Sequence, residues 1–201
     1  ADGQRIDWTT LTGGALEISK DQSLSASGSA SLDIGQGSVV AVVTSLTLEM
    51  ATADVVTGNA LIGATLTDAN VLTFVVTGAS VFAGTGASLN TARTGIETDA
   101  DAVGFLVSGA SFTLVTVTTG SDSYTGLEVG VTRAALLGVD AVDLEVSGGV
   151  KLNTTSRADG QRIDWTTLTG GALEITKEQS LSASGSASLD IGQGSVVAVV
   201  T

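Results

Sequence analysis

The chain has 201 residues, of which 43% are hydrophobic and only 3% aromatic, so a core has to be built mainly from aliphatic side chains. Eight basic residues stand against 21 acidic ones, and this net charge of −13 argues against binding to nucleic acid or to an anionic membrane, since both need a basic surface. Histidine and cysteine are absent, which excludes disulfides, Ser-His-Asp or Cys-His catalysis and the usual zinc sites, so we expect neither an enzyme nor a resident cofactor.

The first and last segments of the chain have nearly the same sequence. Residues 1–44 and 158–201 are identical at 42 of 44 positions, and the two changes place Thr176 for Ser19 and Glu178 for Asp21. An old duplication would have diverged further at exposed positions, where substitutions cost little. The repeat therefore indicates a tandem array, with residues 1–157 as one complete unit and 158–201 as the start of the next.

Strand-like segments follow one another along the unit. "LTLEM" (46–50), "LEVGV" (127–131) and "DLEVSGGVKLN" (143–153) alternate apolar and polar residues, as a sheet buried on one face requires. "VVAVV" (39–43) and "NVLTFVV" (70–76) are more continuously apolar. The longest of these runs has the length of a strand, far below that of a membrane-spanning helix, and we expect no membrane insertion.

A shorter repeat recurs inside the unit around small residues, which we call the anchors. Seven intervals between them span 157 residues and average about 22, near one coil of a parallel β-solenoid. The sequence therefore predicts an all-β parallel solenoid of about seven coils, or about 34 Å per unit at the ~4.8 Å strand spacing. Tandem antiparallel β-sandwiches are the alternative, because some intervals are short for a coil. The anchors are Thr12, Ser27, Thr52, Thr77, Ser108, Thr132, Ser147 and Thr169.

Two polar stretches are predicted as loops, at residues 82–101 and 118–126. Within them, Glu97, Asp99 and Asp101 occupy alternate positions and Asp122 follows later, and carboxylate oxygens in an acidic loop are ligands that Ca²⁺ accepts. These four residues are the calcium candidates. A solvated acidic turn is the alternative, because neither the EF-hand pattern nor the β-roll nonapeptide is present.

The junction between the units carries two further signals. Trp8 and Trp165 occupy equivalent places, which favours packing in the core or between units over a ligand platform. Asn153, Thr154 and Thr155 match the N-glycosylation pattern, which we interpret as a polar turn because Thr-rich chains often match it by chance.

The sequence resembles the giant tandem-repeat surface proteins of Gram-negative bacteria, which include large adhesins and stalk proteins. The resemblance rests on the long duplication, the acidic cysteine-free composition, and the motifs "TGAS" (77–80), "SGAS" (108–111) and "SGG" (147–149). It implies an extracellular protein at the cell surface and supplies no site residues. We expect a structural rod, filament or sheath of stacked units whose partners are copies of itself, end to end within one long chain, with side-by-side association as a further option. The alternative is an adhesion module that binds through a loop such as 82–101.

Overall fold

The computed structural model describes residues 5–10, 18–140, 142–168, 173–192 and 196–200. Its strands form one antiparallel sheet in chain order, so each strand pairs with the strands before and after it in the sequence. Short 3-10 turns at Trp8–Thr10 and Trp165–Thr167 precede the first and seventh strands. The strands are β1 (Gln22–Ile34), β2 (Val39–Val56), β3 (Thr65–Leu89), β4 (Ile96–Thr119), β5 (Asp122–Leu137), β6 (Val142–Thr155), β7 (Leu181–Ile191) and β8 (Val196–Val200).

The expected parallel solenoid is wrong, although the all-β content is confirmed. The alternative of packed sandwiches is also wrong, because the described strands belong to a single sheet. The strands reach 25 residues, several times the usual five or six. Six of the anchors that the sequence placed at the corners of coils instead lie within these long strands, and Thr12 and Thr169 lie outside the described residues.

A line of mostly small residues crosses the sheet beside four of the anchors, Thr77, Ser108, Thr132 and Ser147, and we call it the belt. Its register runs through Ala79, Ala110, Val131, Gly148 and Gly185 on five successive strands, with pairing irregularities beside the first three. Bulges of this kind add local twist and demand small residues or positive φ angles. The belt therefore explains the recurring Ser/Thr-Gly motif by mid-strand bulges.

Two glycine–threonine pairs show why the belt residues are small. Gly78 and Gly109 have φ angles of 63° and 64°, in the left-handed region that favours glycine. A Cβ on Gly78 would lie 2.1 Å from Thr44 Oγ1, and one on Gly109 would lie 2.7 Å from Thr132 Oγ1. Each threonine hydroxyl donates a hydrogen bond to a carbonyl of the facing strand, at 3.0 Å to Thr77 and 3.1 Å to Gly109. The threonine thus occupies the volume that a larger residue would need.

One face of the sheet is apolar from edge to edge, and we call it the apolar face. Strand register aligns its side chains in rows, because residues on one face alternate with those on the other. The row of leucines contains Ala26, Leu48, Phe74, Leu114, Leu127, Leu152 and Leu181. The next row contains Gly28, Leu46, Val76, Phe112, Val129, Val150 and Ala183. On the far side of the belt a further row contains Leu32, Ala41, Val81, Val107, Ala134, Val146 and Ala187. The last row contains Ile34, Val39, Ala83, Phe105, Leu136, Leu144 and Leu189.

The opposite face, which we call the polar face, carries Ser, Thr and charged residues where it is open, and two segments of chain cover its apolar positions. One is the tip of the β3–β4 hairpin, where Ala87 packs with Val40 and Phe82 in a small buried cluster. Arg93 at the turn donates from Nε to Ser31 Oγ on β1 at 3.2 Å, which pins the tip across the sheet. The other segment lies between β6 and β7.

Both stretches predicted as loops are largely strand. Residues 82–101 form the ends of β3 and β4 around a turn at 90–95, and Phe82 is fully buried. Residues 118–126 likewise belong to β4 and β5, which are joined by a turn at 120–121. Polar residues suggested loops here, but a strand with one solvent-facing side accepts polar residues at every second position.

Candidate assembly interface

The two copies of the repeated sequence occupy different positions in the sheet. β7 corresponds to β1 and β8 to β2, each displaced by 157 residues. β7 pairs with β6 through eleven registered residues, from Val142 opposite Ile191 to Leu152 opposite Leu181. The last strand of the first unit and the first strand of the second therefore join without a break in the sheet.

The chain between β6 and β7 leaves the sheet and returns across its polar face. We call its described residues, 161–168 and 173–176, the strap. Ile163, Trp165, Leu173 and Ile175 are each buried to at least 99% and form a cluster with residues of the sheet. Their partners come from β2 to β5 and are Val55, Ala69, Val115, Val117 and Tyr124. Burial of four such side chains is worth roughly 6–12 kcal/mol before the cost of ordering the chain is subtracted.

Asn153 on β6 is the polar centre of this contact. Trp165 Nε1 donates to Asn153 Oδ1 at 2.8 Å, and Asn153 Nδ2 donates to the carbonyls of Ile163 at 2.9 Å and Thr176 at 3.1 Å. The side chain is 1% exposed, and all three of these bonds go to the strap. The interpretation of residues 153–155 as a polar turn is wrong, since they lie within β6.

Gly126 makes room for the strap on the strand opposite Asn153. A Cβ at this position would lie 2.7 Å from Trp165 Cε2 and 2.5 Å from Leu173 Cδ1. Because the backbone of Gly126 presents no side chain, the indole ring lies directly on the sheet. This glycine is required for close approach to Trp165.

The loop after β2 fastens the strap from the other side. Asp164 N donates to the carbonyl of Thr57 at 2.8 Å, and Asn59 Nδ2 donates to the carbonyl of Arg162 at 2.9 Å. The Thr167 hydroxyl donates to the Val56 carbonyl at 3.1 Å. These bonds connect residues more than 100 positions apart, so the strap ties the end of β2 to β6.

Ion pairs surround the entry of the strap. Arg157 Nη1 lies 2.9 Å from Asp122 Oδ2, and Arg157 Nη2 lies 2.6 Å from Asp159 Oδ2. Hydrogen bonds from Arg157, and then from the Gln161 backbone N–H, lower the pKa of Asp159 to about 2. The hydrogen bond with Asp159 also raises the pKa of the Arg157 guanidinium. The pair connects the last residue of the first unit with the second residue of the next.

The first copy of the strap makes the same local backbone hydrogen bond, but its described side chains are not buried against a sheet. The backbone N–H of Trp8 donates to the carbonyl of Ile18 at 2.9 Å, as that of Trp165 donates to Ile175. Yet Trp8 is 37% exposed and Ile6 is 60% exposed, whereas their counterparts are fully buried. β1, within the described residues, pairs with β2 alone, whereas β7 pairs on both sides. The repeated sequence is therefore covered where a complete unit precedes it.

The calcium candidates are not brought together. Glu97, Asp99 and Asp101 lie at the start of β4, and Asp122 lies opposite Thr119 at its other end, about 60 Å away along the strand. Asp122 is instead paired with Arg157. Among the described residues no group of three acidic side chains converges on a position that could hold a metal ion. Calcium binding stays a prediction from the sequence.

Sequence reasoning missed Asn153 as the centre of the junction. The alternation of segment 143–153 gave no signal, because it places Asn153 in phase with Glu145 and Lys151, where a polar residue is expected. The equivalence of Trp8 and Trp165 pointed correctly to a role in packing, and the structure places Trp165 between the two units.

No family model, curated protein or solved structure matches this chain. No helix in the described part of the chain is long and apolar enough to cross a membrane.

Proposed function

We propose that this is a structural protein in which 157-residue units join end to end into one continuous antiparallel sheet, forming a filament or sheath outside the cell. The observation that carries the proposal is the doubly held junction, in which β7 pairs with β6 while the strap of the second unit is buried on the first. No enzyme chemistry is part of the proposal.

The exposed first copy of the strap supports the same arrangement. Its exposed side chains include Ile6, Trp8 and Ile18, whose counterparts in the second copy are buried. A preceding unit would supply a β6 strand to pair with the free edge of β1. Its sheet would also bury these side chains, as the first unit buries the strap. The free edge would then cease to be an open template for unwanted pairing.

The mechanical consequence is that neighbouring units cannot separate by bending a linker. Separation requires loss of the β6–β7 pairing and of the buried strap together. Resistance to extension is what a stalk, filament or sheath needs, and the net charge of −13 limits indiscriminate aggregation of such a surface. The extracellular location rests on the composition and on the resemblance to tandem-repeat surface proteins.

A chain with one added unit tests the proposal. Residues 1–201 followed by a further copy of residues 45–201 add six strands, or about 29 Å across the sheet at ~4.8 Å per strand. We expect small-angle X-ray scattering and electron microscopy to show one rigid particle longer by about this amount. Separate beads with variable spacing would contradict the proposal.

The location has its own test. Antibodies raised against this chain should label intact cells of the source organism, and external protease should remove the label. Labelling that appears only after the cells are broken would contradict an extracellular role while leaving end-to-end joining intact.

A further inference from the structure

The apolar face is the largest feature that the junction does not use. The strap and the tip of the β3–β4 hairpin both pack on the polar face. Large side chains of the apolar face are consequently open to solvent: Leu181 is 66%, Ile34 53% and Phe105 42% exposed. Its aligned rows contain no charged residue. A surface of this kind marks an interaction site.

From its extent and chemistry we propose that the apolar face packs against the apolar face of a second copy of this chain, giving two stacked sheets with an aliphatic core. The belt and the two rows on either side of it, on the seven strands β1 to β7, cover roughly 1,100 Å², taking about 6.6 Å per row and 4.8 Å per strand. A stable protein–protein interface needs about 800 Å² per partner, so one face suffices. Sheets stacked in this manner lie about 10 Å apart.

The shape of the apolar face suits packing against the side chains of a second sheet. Over the belt, Gly148 and Gly185 form the floor of an apolar depression of about 570 Å³, and Phe105, Val129 and Val146 stand around it. Side-chain ridges of a facing sheet can enter such a depression, which is how the inner faces of stacked sheets interdigitate. The depression is lined by β4 to β7 and therefore spans the boundary between the two units. The apolar surface is thus continuous with the β6–β7 junction.

A second copy suits this face better than a lipid surface does. Interfacial contact with lipid is typically reinforced by Trp and Tyr at the margin and by clustered basic residues. Both described tryptophans belong to strap sequences, and Tyr124 is buried beneath the strap on the polar face. The chain carries only 8 basic residues against 21 acidic ones. An identical uncharged face is the partner that matches it without these features.

This pairing does not depend on end-to-end joining, because one chain carries the whole face. Sedimentation equilibrium of the 201-residue chain tests it, and we expect a dimer of twice 19.8 kDa at micromolar concentration. Val150→Lys and Phe105→Lys place charges on the face and should weaken the dimer at least 100-fold. Ser188→Lys is the matched control, since it introduces the same side chain on the polar face opposite Glu145 and should leave the dimer unchanged.

A milder pair of variants covers the case in which the lysine variants do not fold. The chain has no cysteine, so Ala183→Cys on the apolar face and Ser188→Cys on the polar face each introduce a single thiol. A bismaleimide reagent with a reach of about 10 Å should link Ala183→Cys into covalent dimers and leave Ser188→Cys monomeric.

A monomer at all concentrations would overturn the inference. So would a dimer that Ser188→Lys disrupts and the apolar-face variants do not. Binding of monomers to phosphatidylcholine vesicles, lost in Val150→Lys, would overturn it in favour of a lipid partner. None of these outcomes bears on the length increment that tests end-to-end joining.

Discussion

Trp165 and Asn153 form a hydrogen bond of 2.8 Å from the indole Nε1 to the side-chain Oδ1, and it ties the second repeat unit to the last strand of the first. Both residues are almost completely buried. The bond is one of three that saturate the amide of Asn153, so removal of any one leaves a buried polar atom without its partner.

Trp165→Phe should therefore destabilise the chain, while Trp8→Phe should not. The first variant keeps most of the ring but leaves Asn153 Oδ1 unpaired in a buried site, which costs about 1–3 kcal/mol. Trp8 has the same sequence context and is 37% exposed, so its replacement should change the free energy of unfolding by less than about 0.5 kcal/mol. Urea denaturation followed by circular dichroism measures both. Equal effects of the two variants would contradict the assignment of Trp165 as the junction residue.

Gly126→Ala should lower the free energy of unfolding by steric overlap. The added Cβ would lie less than 3 Å from Trp165 and from Leu173, and overpacking of this kind typically costs about 1–3 kcal/mol. Gly28→Ala is the matched control on β1, because a Cβ there meets nothing within 4 Å. We expect the control to be neutral or slightly stabilising, since alanine lowers the entropy of the unfolded chain. A neutral Gly126→Ala would show that the strap does not lie directly on β5.

The spacing of the anchors explains why the sequence predicted the β content correctly and the direction of the strands wrongly. A small residue recurring about every 22 positions is compatible with one corner per coil, but the belt residues instead align across strands that fold back on themselves. From Thr77 to Ser147 the intervals are uneven because each is about twice the distance from the belt to the end of the strand, plus the turn. The anchor Thr52 does not lie on the belt, since it pairs with Asn70. Thr77 to Ser108 passes through the long hairpin tip at residues 90–95, whereas Thr132 to Ser147 passes through a shorter excursion.

The junction could be predicted only in part. Repetition marked Trp8 and Trp165 as equivalent, which favoured a role in packing. The partners of the strap could not be read in this way, because Val55, Ala69 and Val117 contact it through tertiary packing between residues far apart in the chain. The local pattern gives one signal, because Val115 and Val117 follow Leu114 out of phase and fall on the polar face, but it does not tell which segment covers them.

The ion pair between Arg157 and Asp159 should make the junction sensitive to acid. The pKa of Asp159 is lowered from its ordinary 3.8 to about 2, so the folded state favours the charged form. The stabilisation is present above 3.8 and is lost as the pH falls toward 2, because the unfolded state then binds a proton that the folded state resists. The urea midpoint of the wild-type chain should fall across this window.

Asp159→Asn is the test of that prediction. It should lower the midpoint at neutral pH and flatten its dependence between pH 3.8 and about 2, because the titrating carboxylate is gone. Arg157→Gln should flatten the same window, since it removes the donor. An unchanged slope in both variants would show that the pair contributes nothing to stability.

A variant with a shortened tip of the β3–β4 hairpin tests whether the chain is a scaffold or an adhesion module. Its exposed turn, residues 90–95, is what remains of the loop predicted at 82–101, since the rest is strand or buried. Replacing 91–94 with Asn-Gly should preserve a hairpin, because this dipeptide favours a tight two-residue turn, although the bond from Arg93 to Ser31 is lost. Arg93→Ala is the matched control for that lost bond. If the chain is a scaffold, the shortened variant should assemble as the wild type does and attach to surfaces equally well. Lost attachment in the shortened variant, with assembly intact and Arg93→Ala unaffected, would assign adhesion to this turn.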